Sequence, residues 1–170
     1  VFDGASFALN PGGALACRFP VLEELVDHVD LERTAEGWRI VEGEKAALPD
    51  DWEFDYRIMV TATRDYFAKT GFKKAVLGMS GGVDSALVAT IAVDALGPDN
   101  VRCGMLPAEY TSGDSLEDAK AAAEALGCRY DFLPIADVRS AVTGTLAPLF
   151  GGLEPDVTEE NIQSRIRGLL

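Results

Sequence analysis

Positive charge is what this sequence is shortest of: its 170 residues carry 15 Lys and Arg against 28 Asp and Glu, a net charge of −13. A field of that sign repels polyanions and argues against a nucleic-acid polymer as partner, so an anionic small ligand must be met by local donors. Cysteine is sparse as well. Cys17, Cys103 and Cys128 lie in separate segments with no C-x-x-C pair, the pattern of reduced thiols in a cytoplasmic protein and not of a disulfide framework. His28 is the only histidine, which leaves a Ser-His or Cys-His catalytic pair without local support. No apolar run approaches the ~20 residues of a membrane span and no signal-like start is visible, so the expectation is a soluble, intracellular protein with no membrane partner. An initiator Met is also missing: Val1 opens on an apolar stretch and Leu169-Leu170 closes inside a helical pattern, so both ends read as cuts.

What is present follows a pattern. Two short apolar runs, Phe7-Ala8-Leu9 and Ala14-Leu15-Ala16, flank the turn cluster Asn10-Pro11-Gly12-Gly13, a β-hairpin signal. From Pro20 to about Asp51 the chain is acidic, with one short strand at Trp38-Arg39-Ile40-Val41, and reads as a connector. Trp38 and Trp52 are expected to be packing residues. Asp50 or Asp51 can cap a helix carrying Phe54, Ile58, Met59, Ala62, Tyr66 and Phe67 at helical spacing and ending at Gly71.

Beyond Gly71 the period changes. Apolar runs at residues 75–78, 101–106 and 130–135 alternate with helical stretches at about 84–96, 115–126 and 137–150. Such a βαβαβα series produces an α/β fold, a parallel sheet with flanking helices. The first of these helices is apolar nearly all round and should lie buried, whereas the second confines Leu116, Ala119, Ala123 and Leu126 to one stripe. Thr158 can cap a last helix, on which Asn161, Arg165 and Gly168 share one face and Ile162, Ile166 and Leu169 another.

The strongest chemical signal is Gly78-Met79-Ser80-Gly81-Gly82-Val83-Asp84-Ser85, placed where an apolar strand runs out and a helix begins. Adjacent glycines let the backbone approach a ligand closely, and the free N–H groups that open a helix bind anions. Ser80 and Ser85 add hydroxyls. A carboxylate at Asp84 repels phosphate but suits Mg²⁺ held against phosphate oxygens. The plainer alternative is a tight Gly-Gly turn with Asp84 as a helix cap. The glycine spacing, and the missing Lys, set the segment apart from G-x-x-x-x-G-K-[ST] and from G-x-G-x-x-G.

Ser-Gly-Gly-Val-Asp-Ser after an apolar strand resembles the signature loop of the ATP pyrophosphatases, which transfer AMP from ATP to a substrate oxygen and release pyrophosphate. The loop alone does not choose among members such as GMP synthetase and NAD synthetase. Residues 105–112 with Asp114-Ser115, and residues 154–168, resemble glutamine-dependent NAD synthetases, and residues 1–7 are similar to the last strands of the nitrilase-like glutaminase domain of those enzymes. The resemblance implies that residues 1–25 are the end of a glutaminase domain, 26–50 a connector and 51–170 the first part of a synthetase domain. It implies ATP held by residues 78–85, Mg²⁺ by Asp84, and deamido-NAD by Asn161 and Arg165. Residues 110–112 would form a mobile cover. The implied activity is ATP-dependent amidation of deamido-NAD with ammonia from glutamine, by a homo-oligomer whose glutaminase Cys, Glu and Lys lie before Val1 and whose further metal and adenylate contacts lie beyond Leu170. A GMP synthetase-like amidotransferase and a non-catalytic nucleotide-binding fragment are the alternatives.

Overall fold

A computed structural model describes residues 3–108, 111–150 and 157–170; the expectations for Tyr110 and for residues 154–156 lie outside the described residues. The chain forms two compact units, Val1–Tyr66 and Phe67–Leu170.

In the first unit β1 (Phe7–Leu9) and β2 (Leu15–Arg18) pair antiparallel, Phe7 opposite Arg18 and Ala8 opposite Cys17. The turn between them relies on glycine, since Gly12 and Gly13 have φ of 86° and 84°, values an L side chain tolerates poorly. Ala16, Cys17 and Val21 are buried in this unit, as is Val60 farther along. The segment expected to be a connector with one strand is instead a second hairpin, β3 (Leu31–Thr34) with β4 (Gly37–Ile40). The side chain of Asn10 accepts from Ile40 N at 2.8 Å and donates to Ile40 O at 3.1 Å, fixing one hairpin on the other. Trp38 and Trp52 are exposed, Trp52 at 86%, so neither packs as expected; nothing among the described residues covers them.

Helix α1 (Asp51–Thr70) runs across the division between the units. Asp50 caps it, accepting from Glu53 N at 2.9 Å, as the sequence suggested. Its apolar face is less covered than its spacing implied: Val60 is buried, while Met59 and Tyr66 are exposed.

The second unit holds the parallel sheet. Its strands β5 (Ala75–Gly78), β6 (Val101–Met105) and β7 (Arg129–Phe132) stand in the order β5-β6-β7, with Gly78 opposite Gly104 and Gly104 opposite Asp131. Helices α2 (Val83–Leu96) and α3 (Gly113–Leu126) pack on the face that carries Val101, Cys103 and Met105. Their contribution is small side chains: Ala89, Ala92, Ala119 and Ala123 are buried, which lets helix and sheet approach closely. The stripe expected on α3 is observed, Leu116 and Leu126 flanking the two alanines. The full burial expected of α2 is not, for Val83, Leu87 and Val88 are exposed; only one side of the helix meets the sheet. Helix α4 (Ala136–Phe150) packs with α5 (Val157–Leu169). Helix α5 is described from Val157, and Thr158 falls in its first described turn. Ile166 is buried on α5, but Leu169 is exposed.

Candidate nucleotide-binding site

The loop leaves the sheet at its carboxyl edge, where open α/β sheets bind ligands. Met79 N donates to Gly104 O at 2.9 Å, carrying the pairing one residue past β5, and the Met79 side chain is buried in the core. The chain then turns at Gly81, whose φ is 84°. A Cβ there would stand 2.3 Å from Ser115 O and 2.9 Å from Ser115 Cα. Gly81 is therefore required twice, by its own backbone angle and by the close approach of the first turn of α3. Gly82 is less constrained: its φ is −86° and a Cβ would meet Ser80 Oγ at 3.5 Å.

The two serines brace the loop from within. Ser85 Oγ donates to Gly82 O at 2.9 Å and accepts from Ser80 N at 3.1 Å, while Ser80 Oγ accepts from Gly82 N at 3.3 Å and lies 3.1 Å from Ser85 Oγ. Gly82 occupies the cap position of α2, and no side chain caps it. The first N–H groups of α2 are thus left without the side-chain acceptor that helix starts usually have, which suits an anion arriving at the positive end of the helix dipole. Asp84 lies in the first turn, exposed, and is not the cap. One exposed carboxylate beside these donors fits Mg²⁺, which takes one or two carboxylates and completes its shell with phosphate oxygens and water. Among the described residues no three His, Cys, Asp or Glu gather into a metal cluster.

Beside the loop lies a cavity of about 260 Å³ lined by residues 78–80 and 104–106, Thr111 and Arg167. Its floor is the exit of β6. Thr111, expected in a mobile cover, makes a turn with Ala108: its N donates to Ala108 O at 3.1 Å and its Oγ1 accepts from Ala108 N at 3.0 Å. Ser112, placed in the same cover, is the N-cap of α3, accepting from Ser115 N at 3.2 Å. Asn161 and Arg165 are both exposed on α5 and are not among the residues lining this cavity. Arg167, two residues on, is. Helical spacing from Asn161 put Arg165 on the polar face and gave no reason to single out Arg167.

A second cavity, which shares Gly78, Gly104, Leu106 and Arg167 with the first, carries Arg102 and Asp131. Arg102 and Arg129 bond Asp131 on the face of the sheet away from α2 and α3; the Arg102 hydrogen bond first, and Arg129 second, hold the Asp131 carboxyl below its ordinary range. Cys103 and Cys128 have their sulfurs 3.5 Å apart in the core, and burial pushes the Cys103 thiol up to about 12. Such a thiol stays protonated and unreactive at neutral pH. His28 is exposed beside Asp27.

This geometry has close counterparts. The NAD synthase family model matches residues 56–170. The glutamine-dependent NAD(+) synthetase of Rhodobacter capsulatus is 56% identical over 170 residues, all of this chain and 31% of that protein. That of Thermotoga maritima is 50% identical over 121 residues, 71% of this chain and 21% of that protein. A solved structure of glutamine-dependent NAD+ synthetase from Acinetobacter baumannii, in complex with ADP, superposes with a TM-score of 0.92 at 38% identity, covering 99% of this chain and 32% of that one. The chain thus spans less than a third of its Rhodobacter relative, but the matched stretch takes in the whole loop, the parallel sheet and α5. On that match, which runs through the glycine loop at the sheet's carboxyl edge, the chain belongs to the NAD synthase family.

Proposed function

We propose that this chain supplies the ATP-binding part of an enzyme that amidates deamido-NAD to NAD, with ammonia drawn from glutamine. The observation that carries the reading is the uncapped start of α2 behind a glycine turn that no other residue can make. A carboxylate is a poor acceptor for an amine because oxide is a poor leaving group. In the proposed reaction the nicotinate carboxylate of deamido-NAD attacks the α-phosphorus of ATP; an acyl–adenylate bond forms and the bond to pyrophosphate breaks. Ammonia then attacks the acyl carbon and AMP leaves.

The residues divide that work. Backbone N–H groups of residues 81 and 83–85 would face the departing pyrophosphate, Ser80, Gly82 and Ser85 would keep the loop in shape around it through their mutual hydrogen bonds, and Gly78, Met79 and Val83 would complete its wall. The Asp84 carboxylate would hold Mg²⁺, which neutralises charge building on the leaving group. Asn161 and Arg165, exposed on α5, would contact deamido-NAD. The same reading makes the working form a homo-oligomer. Three buried free cysteines suit a reducing, cytoplasmic compartment.

Calorimetric titration of the folded chain with MgATP and with pyrophosphate tests the local site. Both should bind, and Asp84→Asn should weaken MgATP at least tenfold while shifting stability by no more than the ~0.3–1 kcal/mol of a helix-dipole contact. Chelating the metal should reproduce the Asp84→Asn loss in the unsubstituted chain. Folded protein that is silent to both ligands would end this reading.

A further inference from the structure

The exit of β6 presents three successive carbonyls. Those of Met105 and Pro107 accept from Leu133 N at 2.8 Å and Ile135 N at 3.1 Å, along the exit of β7. Carbonyls alternate in direction along an extended chain, so that of Leu106 turns away from β7, toward the cavity beside the loop. Arg167 takes it. Its Nε donates to Leu106 O at 3.1 Å from the last turn of α5, 61 residues along the chain. A guanidinium carries five donors in a rigid plane and this bond uses one. Among the described residues Arg167 forms no ion pair, and it is the only charged side chain lining the cavity.

We propose that Arg167 is a nucleotide-positioning residue: anchored on the Leu106 carbonyl, its guanidinium meets the sugar and α-phosphate end of ATP. The inference rests on the reading that the loop holds the phosphates. If the β- and γ-phosphates lie over the start of α2, the rest of the nucleotide must leave along the carboxyl edge of the sheet. The cavity over residues 78–80 and 104–106 is the space open to it. Besides backbone and apolar side chains that space is bordered by the hydroxyl residues Ser80 and Thr111 and by one cation, Arg167, already oriented by its bond to Leu106 and relieved of part of its rotamer entropy. Pyrophosphate alone does not extend that far. Arg167 should therefore matter to ATP and not to pyrophosphate, a split that a purely structural bond between α5 and β6 would not produce.

The test is titration of the 170-residue chain and its Arg167→Ala and Arg167→Gln variants with MgATP and with magnesium pyrophosphate, alongside a thermal melt. Arg167→Ala should weaken MgATP roughly tenfold, the scale of one charge-assisted hydrogen bond, and leave pyrophosphate within about twofold. Arg167→Gln, which keeps a donor within reach of Leu106 O but loses the charge, should hold the melting temperature and still bind MgATP weakly. Unchanged MgATP affinity in Arg167→Ala, with the parent chain binding both ligands, would overturn this inference and spare the loop. Parallel loss of both ligands with a lowered melting temperature, or failure of both variants to fold, would make Arg167 structural and overturn it too. Silence of the parent chain toward both ligands would end both proposals.

Discussion

Helices α2 and α3 have the same length, follow neighbouring parallel strands and pack on the same face of the sheet, yet they begin in opposite ways. Helix α3 is closed at both ends by local means: Ser112 caps its start, and Gly127, at φ 67° and ψ 15°, ends it in the left-handed conformation with its N–H on Ala123 O and Glu124 O. Helix α2 starts at a glycine with no side-chain cap. A glycine at this position costs only a few tenths of a kcal/mol relative to Ser, Asp or Asn, but it leaves the first N–H groups of the helix without a side-chain acceptor. Donors left open in this way are what the proposed phosphate site requires. The loop before α2 also leans on α3, since Gly81 abuts Ser115; the capped helix supports the start of the uncapped one.

The largest break in that arrangement should come from Gly81→Ala. The new methyl would meet backbone atoms of Ser115 that cannot rotate away, at a residue whose φ already disfavours a side chain. A loss of about 3 kcal/mol in urea unfolding is expected, with MgATP binding abolished. Stability within about 0.5 kcal/mol of the parent would mean that the loop does not rest on α3.

Ser112→Ala removes the cap from α3 and should make the two helix starts alike. The expected cost is about 1 kcal/mol in the same unfolding assay, with pyrophosphate affinity within about twofold because the loop keeps its own serine bracing. A tenfold or greater fall in pyrophosphate affinity, on protein that still melts cooperatively, would place the start of α3 inside the site.

The smallest effect sharpens the comparison from the other side. Gly82→Ser installs a potential cap on α2 at a φ of −86° and ψ of 157° that serine adopts without strain. Stability should rise by a few tenths of a kcal/mol, while pyrophosphate binds a few-fold more weakly because the new hydroxyl competes for the same N–H groups. A rise in stability with unchanged pyrophosphate affinity would show that those donors do not hold the anion.

Legibility in the sequence followed the range of the interaction. Strands β5, β6 and β7, the first hairpin and the α3 stripe could all be read because their apolar periods and turn residues are local. The β3–β4 hairpin was half visible: Trp38-Arg39-Ile40 signals a strand, but Leu31–Thr34 with Glu32 and Arg33 carries no apolar alternation, and it is pairing with β4 that makes it one. The expected burial of α2 overshot because composition cannot say how many faces of a helix meet a neighbour. The bland alternative of Asp84 as a cap fails on register, Gly82 holding that position.

By itself the sequence determined that a strand–glycine loop–helix unit with hydroxyls and one carboxylate sits in an α/β series, because strand, turn and helix start are contiguous and their chemistry is written in neighbouring residues. Only the tertiary structure decided that Gly81 and Gly82 are unequal, that Ser112 caps where a mobile cover was expected, and that Arg167 is the α5 arginine that reaches the cavity. Each depends on what the fold sets beside it: the first turn of α3 against Gly81, the start of α3 at Ser112, the Leu106 carbonyl under Arg167. A hydrogen bond or a steric contact is decided over a few ångströms of space, and the period of a helix or strand carries no information about which distant backbone atom the fold will bring that close.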